Sequence, residues 1–508
     1  MALVRLLCAG VEGIDGFPVH VEVHRTEPIT GIGRTTVVGL PDSAVRESIE
    51  RVIPALTSSG LTPRASDHIV VNLAPADRRK EGPAFDLAIA LGLAASLDDN
   101  RLNGVGLDTM VLAELALDGS LRPVRGALSC ALAARDAGCT RFICAPANAQ
   151  EAAVVAGLTV HAPRDLAECC AWLRAGLAVA PVVTPQDAGD LQGHIPCLSD
   201  VRGQDHAKRA LTIAAAGGHN ALFIGPPGSG KTMLARRLPG LLPPLSVAES
   251  LEVTRVHSVS GLLTGGGLMR ERPFRSPHHN VSGVGLIGGG SHPRPGEVSL
   301  SHHGVLFLDE LPEFPRQILE TLRQPLEDGF LTISRAHGRL RFPSRCMLMA
   351  AMNPCPCGYL GHPTRRCTDS ADAVHRYRAR ISGPLLDRID LHLEVPAQRP
   401  ELLSGAGSGE TSATIRGRVV AARERMVARQ GCANATLDSK GLRTHLAADQ
   451  DGLDLLHQAV EELGLSARAM DRIGKVARTI ADLDGRERVR IDDLAEAIGY
   501  RVLDRAGG

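Results

Sequence analysis

Three regimes of hydrophobic patterning follow one another along the chain. In the first, short apolar runs at 19–23, Thr35–Val38, 69–72 and Arg141–Cys144 alternate with helical stretches at 44–58, 85–95 and 126–137. Such interleaving predicts an α/β sandwich. In the second, the runs 221–224, 305–308 and 347–352 are apolar at every position. Strands without alternation are those buried on both faces of a parallel sheet. In the third, from Thr414 on, Ala, Leu, Arg and Glu recur at helical period, with helices predicted over 467–481 and 491–503. Two stretches lack either period. Residues 175–194 are rich in Pro, Gly and Ala, and 401–414 in Gly and Ser. They divide the chain into an α/β domain at 1–174, a linker at 175–194, an α/β core at 195–400 and a helical domain at 401–508. No internal repeat is visible.

Composition changes this picture little. The 508 residues are 44 % hydrophobic and 22 % charged, which suits a globular protein of about three domains. Aromatics make up only 3 %, so aliphatic side chains carry the cores. The 56 basic and 56 acidic residues cancel, and any contact with nucleic acid must come from a local basic patch. The 12 cysteines are mostly scattered singly, which fits a reducing cytosol better than a disulfide framework. The opening MALVRLLCAGVEG reads as a strand rather than a signal segment. The longest uncharged run, 210–230, is broken by Gly217-Gly218-His219-Asn220 and Pro226-Pro227 and cannot be one membrane-spanning helix. A soluble, cytoplasmic protein without a membrane partner is expected.

The chemistry concentrates in the central regime. The run 221–224 leads into Gly225-Pro226-Pro227-Gly228-Ser229-Gly230-Lys231-Thr232, and a helix follows. Glycines let successive backbone N–H groups curl around phosphate oxygens, and the helix N-terminus adds its dipole. Lys231 then reaches the β- and γ-phosphates, and the Thr232 hydroxyl ligates Mg²⁺. A chance Gly-rich turn is the bland alternative, and the strand–loop–helix context argues against it. About eighty residues on, Asp309 and Glu310 close a buried strand where open α/β sheets bind ligands. Asp309 would hold the Mg²⁺ shell, and Glu310 would polarise the attacking water. Asn353, at the end of the run 347–352, can bridge that water and the γ-phosphate. Arg388, in Leu385-Leu-Asp-Arg388, sits beside two acids, either as a salt bridge or as an arginine finger.

The ordered set resembles the AAA+ ATPases: Val201-Arg-Gly203-Gln204 for the adenine pocket, the phosphate loop, LFLDE, the strand ending at Asn353, LLDR, and Ser466-Ala-Arg468. More narrowly, Arg275-Ser-Pro-His-His279, Gly288-Gly-Gly-Ser291, Pro295-Gly-Glu297 and Leu308-Asp-Glu-Leu-Pro312 resemble the magnesium-chelatase branch. With the N-terminal domain included, the match covers almost the whole chain and points to the ComM/YifB family. The resemblance implies a homo-hexameric ring with Arg388 acting in trans. It also implies a lid-domain sensor on the γ-phosphate, Arg468 or, one turn later, Arg472.

The N-terminal domain carries a second resemblance. Arg79-Lys-Glu-Gly82-Pro83-Ala84-Phe-Asp86 is similar to the catalytic turn of Lon-type proteases, in which a serine follows Gly-Pro. Here that place is Ala84, and Pro123-Val-Arg-Gly-Ala-Leu128 lacks the second catalytic group, a lysine. A Ser–Lys dyad needs both, so the domain is read as inactive and structural. RadA-type recombination proteins carry a similar inactive domain.

Two further segments invite function. Residues 329–343 alternate on both sides of Ala-His-Gly, a hairpin signal that gathers Arg335, His337 and Arg339 at its tip. A solvated turn is the plain reading. In the resembled family such a hairpin faces the ring pore, where basic groups grip DNA phosphates without reading sequence. The Gly- and His-rich segment 258–295 resembles the helix-2 insertion of the same branch, also aimed at the pore. Cys355, Cys357, His362 and Cys367 offer three thiols and an imidazole for a structural Zn²⁺, against the plain reading of three reduced loop thiols.

The leading expectation is an ATP- and Mg²⁺-dependent DNA translocase on single-stranded or branched DNA. By resemblance it is a branch-migration helicase of natural transformation. The competing readings are a magnesium-chelatase motor subunit and an ATP-dependent protein remodeller. The resemblance argues against the former through the N-terminal domain, which chelatase motor subunits lack. Ala84 argues against an ATP-dependent protease.

Overall fold

The computed structural model describes residues 2–504 except 27–32, 65, 98–105, 176–178, 183–194, 264–266, 291–292, 336–337 and 399–408. The described chain forms two compact units, residues 1–191 with 250–269, and residues 192–249 with 270–508. The linker read at 175–194 and the first part of that at 401–414 fall largely outside the described residues.

The first unit is built on a mixed seven-stranded sheet. Its order is Thr35–Val38, His68–Ala74, Asp15–Thr26, Ala2–Glu12, Thr109–Leu112, Arg141–Cys144, Thr159–His161. Ala2–Glu12 and Asp15–Thr26 pair antiparallel from Ala2↔Arg25 to Glu12↔Asp15, turning at Gly13 with φ +66°. Along Asp15–Thr26 the alternation buries Val19, Val21 and Val23 on one face. The helix Asp86–Ser96 packs on these two strands and is buried almost all round. Its Asp86 carboxylate is buried too, and it accepts from Arg51 Nε at 2.7 Å and Leu115 N at 3.3 Å. That pairing repays the cost of placing a charge there.

The protease-like turn is inert in this structure. Ala84 lies in the short helix Pro83–Phe85 after Gly82, and it offers no nucleophile. The nearby Cys8 thiol, 3.7 Å from the Ala84 carbonyl, is pushed up to about 12 by burial. Lys80 donates to the carbonyls of Pro75 and Arg78.

The second unit holds a five-stranded, all-parallel sheet in the order Phe274–Arg275, Val305–Leu308, Met347–Met352, Ala221–Ile224, Leu391–Glu394. The three strands Val305–Leu308, Met347–Met352 and Ala221–Ile224 are buried at every residue, which is why their sequences show no alternation. The C-terminal helices are not a separate body. Ile415, Val419, Ala422 and Met426 form one stripe of the helix Ser412–Gln430. They share a single core with Phe223, Val305, Met349 and Ile473. Within the range 195–400, residues 250–269 group with the first unit. Among the described residues no helix is long and apolar enough to cross a membrane.

Candidate nucleotide site

The strand Ala221–Ile224 delivers the phosphate loop at the C-terminal edge of the sheet. Gly225 has no room for a side chain: a Cβ there would lie 2.1 Å from the Val395 carbonyl oxygen. Gly228 and Gly230 adopt φ +78° and +93°, a region open to glycine at little cost. Gly230 then caps the helix Lys231–Ala235. The Lys231 side chain folds back over the loop. Its Nζ donates to Gly225 O at 2.7 Å, Pro226 O at 3.0 Å and Asn353 Oδ1 at 3.3 Å. Burial pushes this ammonium down from its ordinary pKa, while Asp309 and Glu310 pull it up.

The acidic pair stands opposite. Asp309 follows Val305–Leu308, and its Oδ2 accepts from Thr232 Oγ1 at 2.7 Å. The hydroxyl and carboxylate named for Mg²⁺ are therefore already adjacent. Glu310 takes φ +53°, rare for a residue with a side chain, and its Oε2 lies 3.3 Å from His279 Nδ1. Ser229 Oγ is buried and has no hydrogen-bond partner among the described residues. A cradle open only to glycine, an unpartnered hydroxyl and a ready Thr–Asp pair fit a Mg²⁺-bound nucleoside triphosphate.

Other expected residues take different places. Gln204, at φ +57°, donates from Nε2 to Ser229 O at 3.1 Å and Pro396 O at 3.0 Å. It ties the phosphate loop to the end of the sheet. A Cβ on Gly203 would come 2.8 Å from Gln398 Oε1. Arg388 lies at the far end of the sheet. Its carbonyl accepts from Asn220 Nδ2 at 2.9 Å, just before the strand that leads to the phosphate loop. Its guanidinium bonds Arg323 O at 3.1 Å, Pro384 O at 2.7 Å and the Glu327 carboxylate. Arg468, largely exposed, stands 3.9 Å from Asp387, beside Arg388. Arg472 is bound to the buried Asp390 at 2.8 Å. Burial opposes ionisation of Asp390, but Arg472 and His219 hold its carboxyl below the usual range.

The hairpin forms as expected, Phe330–Arg335 against Gly338–Pro343, with Ser334 facing Arg339 and Thr332 facing Arg341. Arg339 is exposed. His337 and the Arg335 side chain lie outside what is described. Arg341 instead stacks on Phe330, 3.4 Å from the ring centroid. The expected Zn²⁺ set is corrected at one corner. Cys355, Cys357 and Cys367 converge with Asp369. His362 turns to its own loop, where Nδ1 accepts from Thr364 N and Arg365 N at 3.2 and 3.1 Å.

His279 is the residue that sequence reasoning missed. In the sequence it stands only within the Arg275–His279 motif. Only the pairing of Phe274–Arg275 with Val305–Leu306 brings the loop after that edge strand to Glu310.

Comparison with known proteins agrees with this geometry. Residues 197–403 match the family model described as magnesium chelatase, subunit ChlI, and residues 409–501 match the model of its C-terminal part. Residues 21–148 match a model described as subunit ChlI of Mg-chelatase. The N-terminal domain thus does not by itself separate this chain from chelatase subunits, contrary to the expectation above. The chain is 44 % identical to YifB of Escherichia coli K12, over 97 % of this chain and 96 % of that protein. It is 44 % identical to the competence protein ComM of Haemophilus influenzae, over 99 % and 98 %. With the chloroplastic magnesium-chelatase subunit ChlI of rice it shares 23 %, over 63 % and 79 %.

Proposed function

Because the chain belongs to the ComM/YifB family of magnesium-chelatase-like AAA+ proteins, we propose that it is an ATP-hydrolysing motor that moves along DNA and drives branch migration during natural transformation. Membership of an AAA+ family implies the ATPase. The observation that carries the reading is the convergence of Lys231, Asn353, Thr232 and Asp309 at one edge of the parallel sheet.

ATP binds with its phosphates in the loop 225–232. Lys231 donates to phosphate oxygens in place of the Gly225 and Pro226 carbonyls, an exchange of acceptors by an ammonium already desolvated. Thr232 and Asp309 would hold Mg²⁺, which would neutralise phosphate charge when bound. Glu310 polarises the water that displaces ADP from the γ-phosphoryl group, and Asn353 orients it. Val201–Gln204 would bear on the adenine.

The ring that the family resemblance implies is supported by where the arginines sit. Arg388 lies at the opposite end of the strand Ala221–Ile224 from its own phosphate loop. Four residues of strand span roughly 13 Å, too far for its side chain to reach that loop's phosphates. In a hexamer Arg388 would serve a neighbouring copy, and Arg468, beside it at Asp387, would serve the same neighbour. In that ring the hairpin would present its basic side chains, Arg339 among those described, to DNA phosphates in the pore.

The name of the Haemophilus relative, competence protein, supports the competence reading over the chelatase one, since similarity to it spans nearly both chains. The test is ATP hydrolysis with and without single-stranded and four-way-junction DNA over a range of salt, with Lys231→Ala as control. Stimulation of several-fold that fades with salt supports the translocase. Hydrolysis indifferent to DNA at every salt concentration would sink it and leave the chelatase-type motor or a protein remodeller.

A further inference from the structure

The strand Met347–Met352 ends at Asn353, and residues 354–369 then run without helix or strand. A loop this long without secondary structure needs something to hold it. Three sulfurs meet there. Cys355 Sγ lies 3.4 Å from Cys357 Sγ and 3.6 Å from Cys367 Sγ, and the last two are 3.6 Å apart. Asp369 completes the group. Its Oδ2 is 3.8 Å from Cys367 Sγ and accepts from Cys357 N at 2.8 Å. All four ligand atoms lie within 4.8 Å of one another.

The spacing is informative. Zinc–thiolate bonds of about 2.3 Å at tetrahedral angles place sulfurs roughly 3.8 Å apart. A disulfide would bring one pair to about 2.05 Å and leave the third thiol over. An almost equilateral triangle of sulfurs, with a carboxylate oxygen at its open side, is the outline of a tetrahedral site. The carboxylate is already oriented by a backbone N–H, as ligands of structural sites commonly are.

We propose that Cys355, Cys357, Cys367 and Asp369 bind one structural zinc ion, with Asp369 and not His362 as the fourth ligand. Four protein ligands leave no open position, so the ion holds structure and takes no substrate. What it holds is the back of the nucleotide site. Gly358, at φ +83°, lies against the phosphate loop: a Cβ there would come 2.7 Å from Pro227 Cδ and 3.8 Å from Asn353 Cγ. The metal-bound loop braces both Pro227 and the amide that meets Lys231. This bracing rests on the nucleotide-site reading, whereas the ligand assignment is independent of ATP and DNA.

The test is metal analysis of the full chain purified under reducing conditions, followed by cobalt substitution. One zinc per chain is expected. The cobalt form should show tetrahedral d–d bands and a thiolate charge-transfer band. Asp369→Ala should weaken metal binding at least tenfold in competition with a chromophoric chelator. Asp369→Cys should restore it, with the charge-transfer band raised by about a third as three thiolates become four. His362→Ala should keep the full metal content. The proposal is overturned if the chain holds well under one equivalent both as purified and after reconstitution with zinc alone. It is equally overturned if His362→Ala loses the metal while Asp369→Ala retains it. These two variants leave the three thiols intact, so the outcome does not depend on whether a cysteine variant folds.

Discussion

Lys231 Nζ donates to Asn353 Oδ1 at 3.3 Å, joining the phosphate loop to the end of the neighbouring strand. The two residues are 122 positions apart, and the parallel pairing of Ala221–Ile224 with Met347–Met352 brings them together. The contact sets the amide beside the group that will meet the γ-phosphate. Asn353→Ala should lower kcat by about 10- to 100-fold, equivalent to about 1.4–2.7 kcal/mol of barrier, with little change in KM for ATP. Steady-state kinetics separate the two. A rise in KM alone would show that Asn353 serves binding rather than turnover.

His279 stands on Glu310. A base that polarises water works only when it is held in place, and Glu310 has an exposed side chain on a left-handed backbone. His279→Ala should reduce kcat about 3- to 10-fold, while Glu310→Gln should abolish turnover and leave nucleotide binding intact. Unchanged turnover in His279→Ala would mean that the contact is not used in hydrolysis.

The placement of Arg388 and Arg468 predicts complementation between subunits. Arg388→Ala and Glu310→Gln chains should each be inactive as uniform rings. Mixed rings should regain part of the activity, because an intact Arg388 from one copy can meet an intact Glu310 in the next. Activity of Arg388→Ala as a uniform ring would remove the finger assignment. Arg468→Ala should behave as Arg388→Ala does in the same mixing series.

Arg339 is an exposed cation on the hairpin. A side chain that only grips phosphate contributes about one unit to the slope of log affinity against log salt. Arg339→Ala should therefore weaken DNA binding uniformly across sequences and flatten that slope by about one. DNA-free ATP hydrolysis should stay as it was. Fluorescence anisotropy with labelled single strands at several salt concentrations reads both quantities.

His392 predicts an acid limb in stability. Burial, with the Arg501 charge nearby, holds its imidazole down to about 3, whereas the unfolded chain takes up this proton near pH 6.5. A depressed pKa in the folded state means that the stabilisation is fully present above about 6.5 and drains as pH falls towards 3. The whole effect is on the order of 5 kcal/mol. His392→Gln should flatten the fall in thermal midpoint between pH 6.5 and 4. Asp390, whose carboxyl is also held low, acts below that window.

Much of the fold was legible because its elements are local. Thr35–Val38 and Arg141–Cys144 carry β-runs that need no partner to be recognised. Thr109–Leu112 and Thr159–His161, four and three residues long, were not singled out. No local pattern in 250–269 shows that it packs within the first unit, because that grouping depends on long-range contacts.

The sequence by itself determined the phosphate loop, the Asp309–Glu310 pair, the strand ending at Asn353 and the absence of a protease nucleophile at Ala84. Each depends on residue type at fixed short spacing, and backbone geometry converts such spacing directly into local shape. Only the tertiary structure decided that Lys231 meets Asn353, that His279 meets Glu310, that Arg468 stands with Arg388, and that Asp369 replaces His362 beside the thiols. Those meetings depend on which strands lie side by side and how loops return. The order of five buried strands is set by packing of the whole core, because strands apolar on both faces carry no mark of their neighbours.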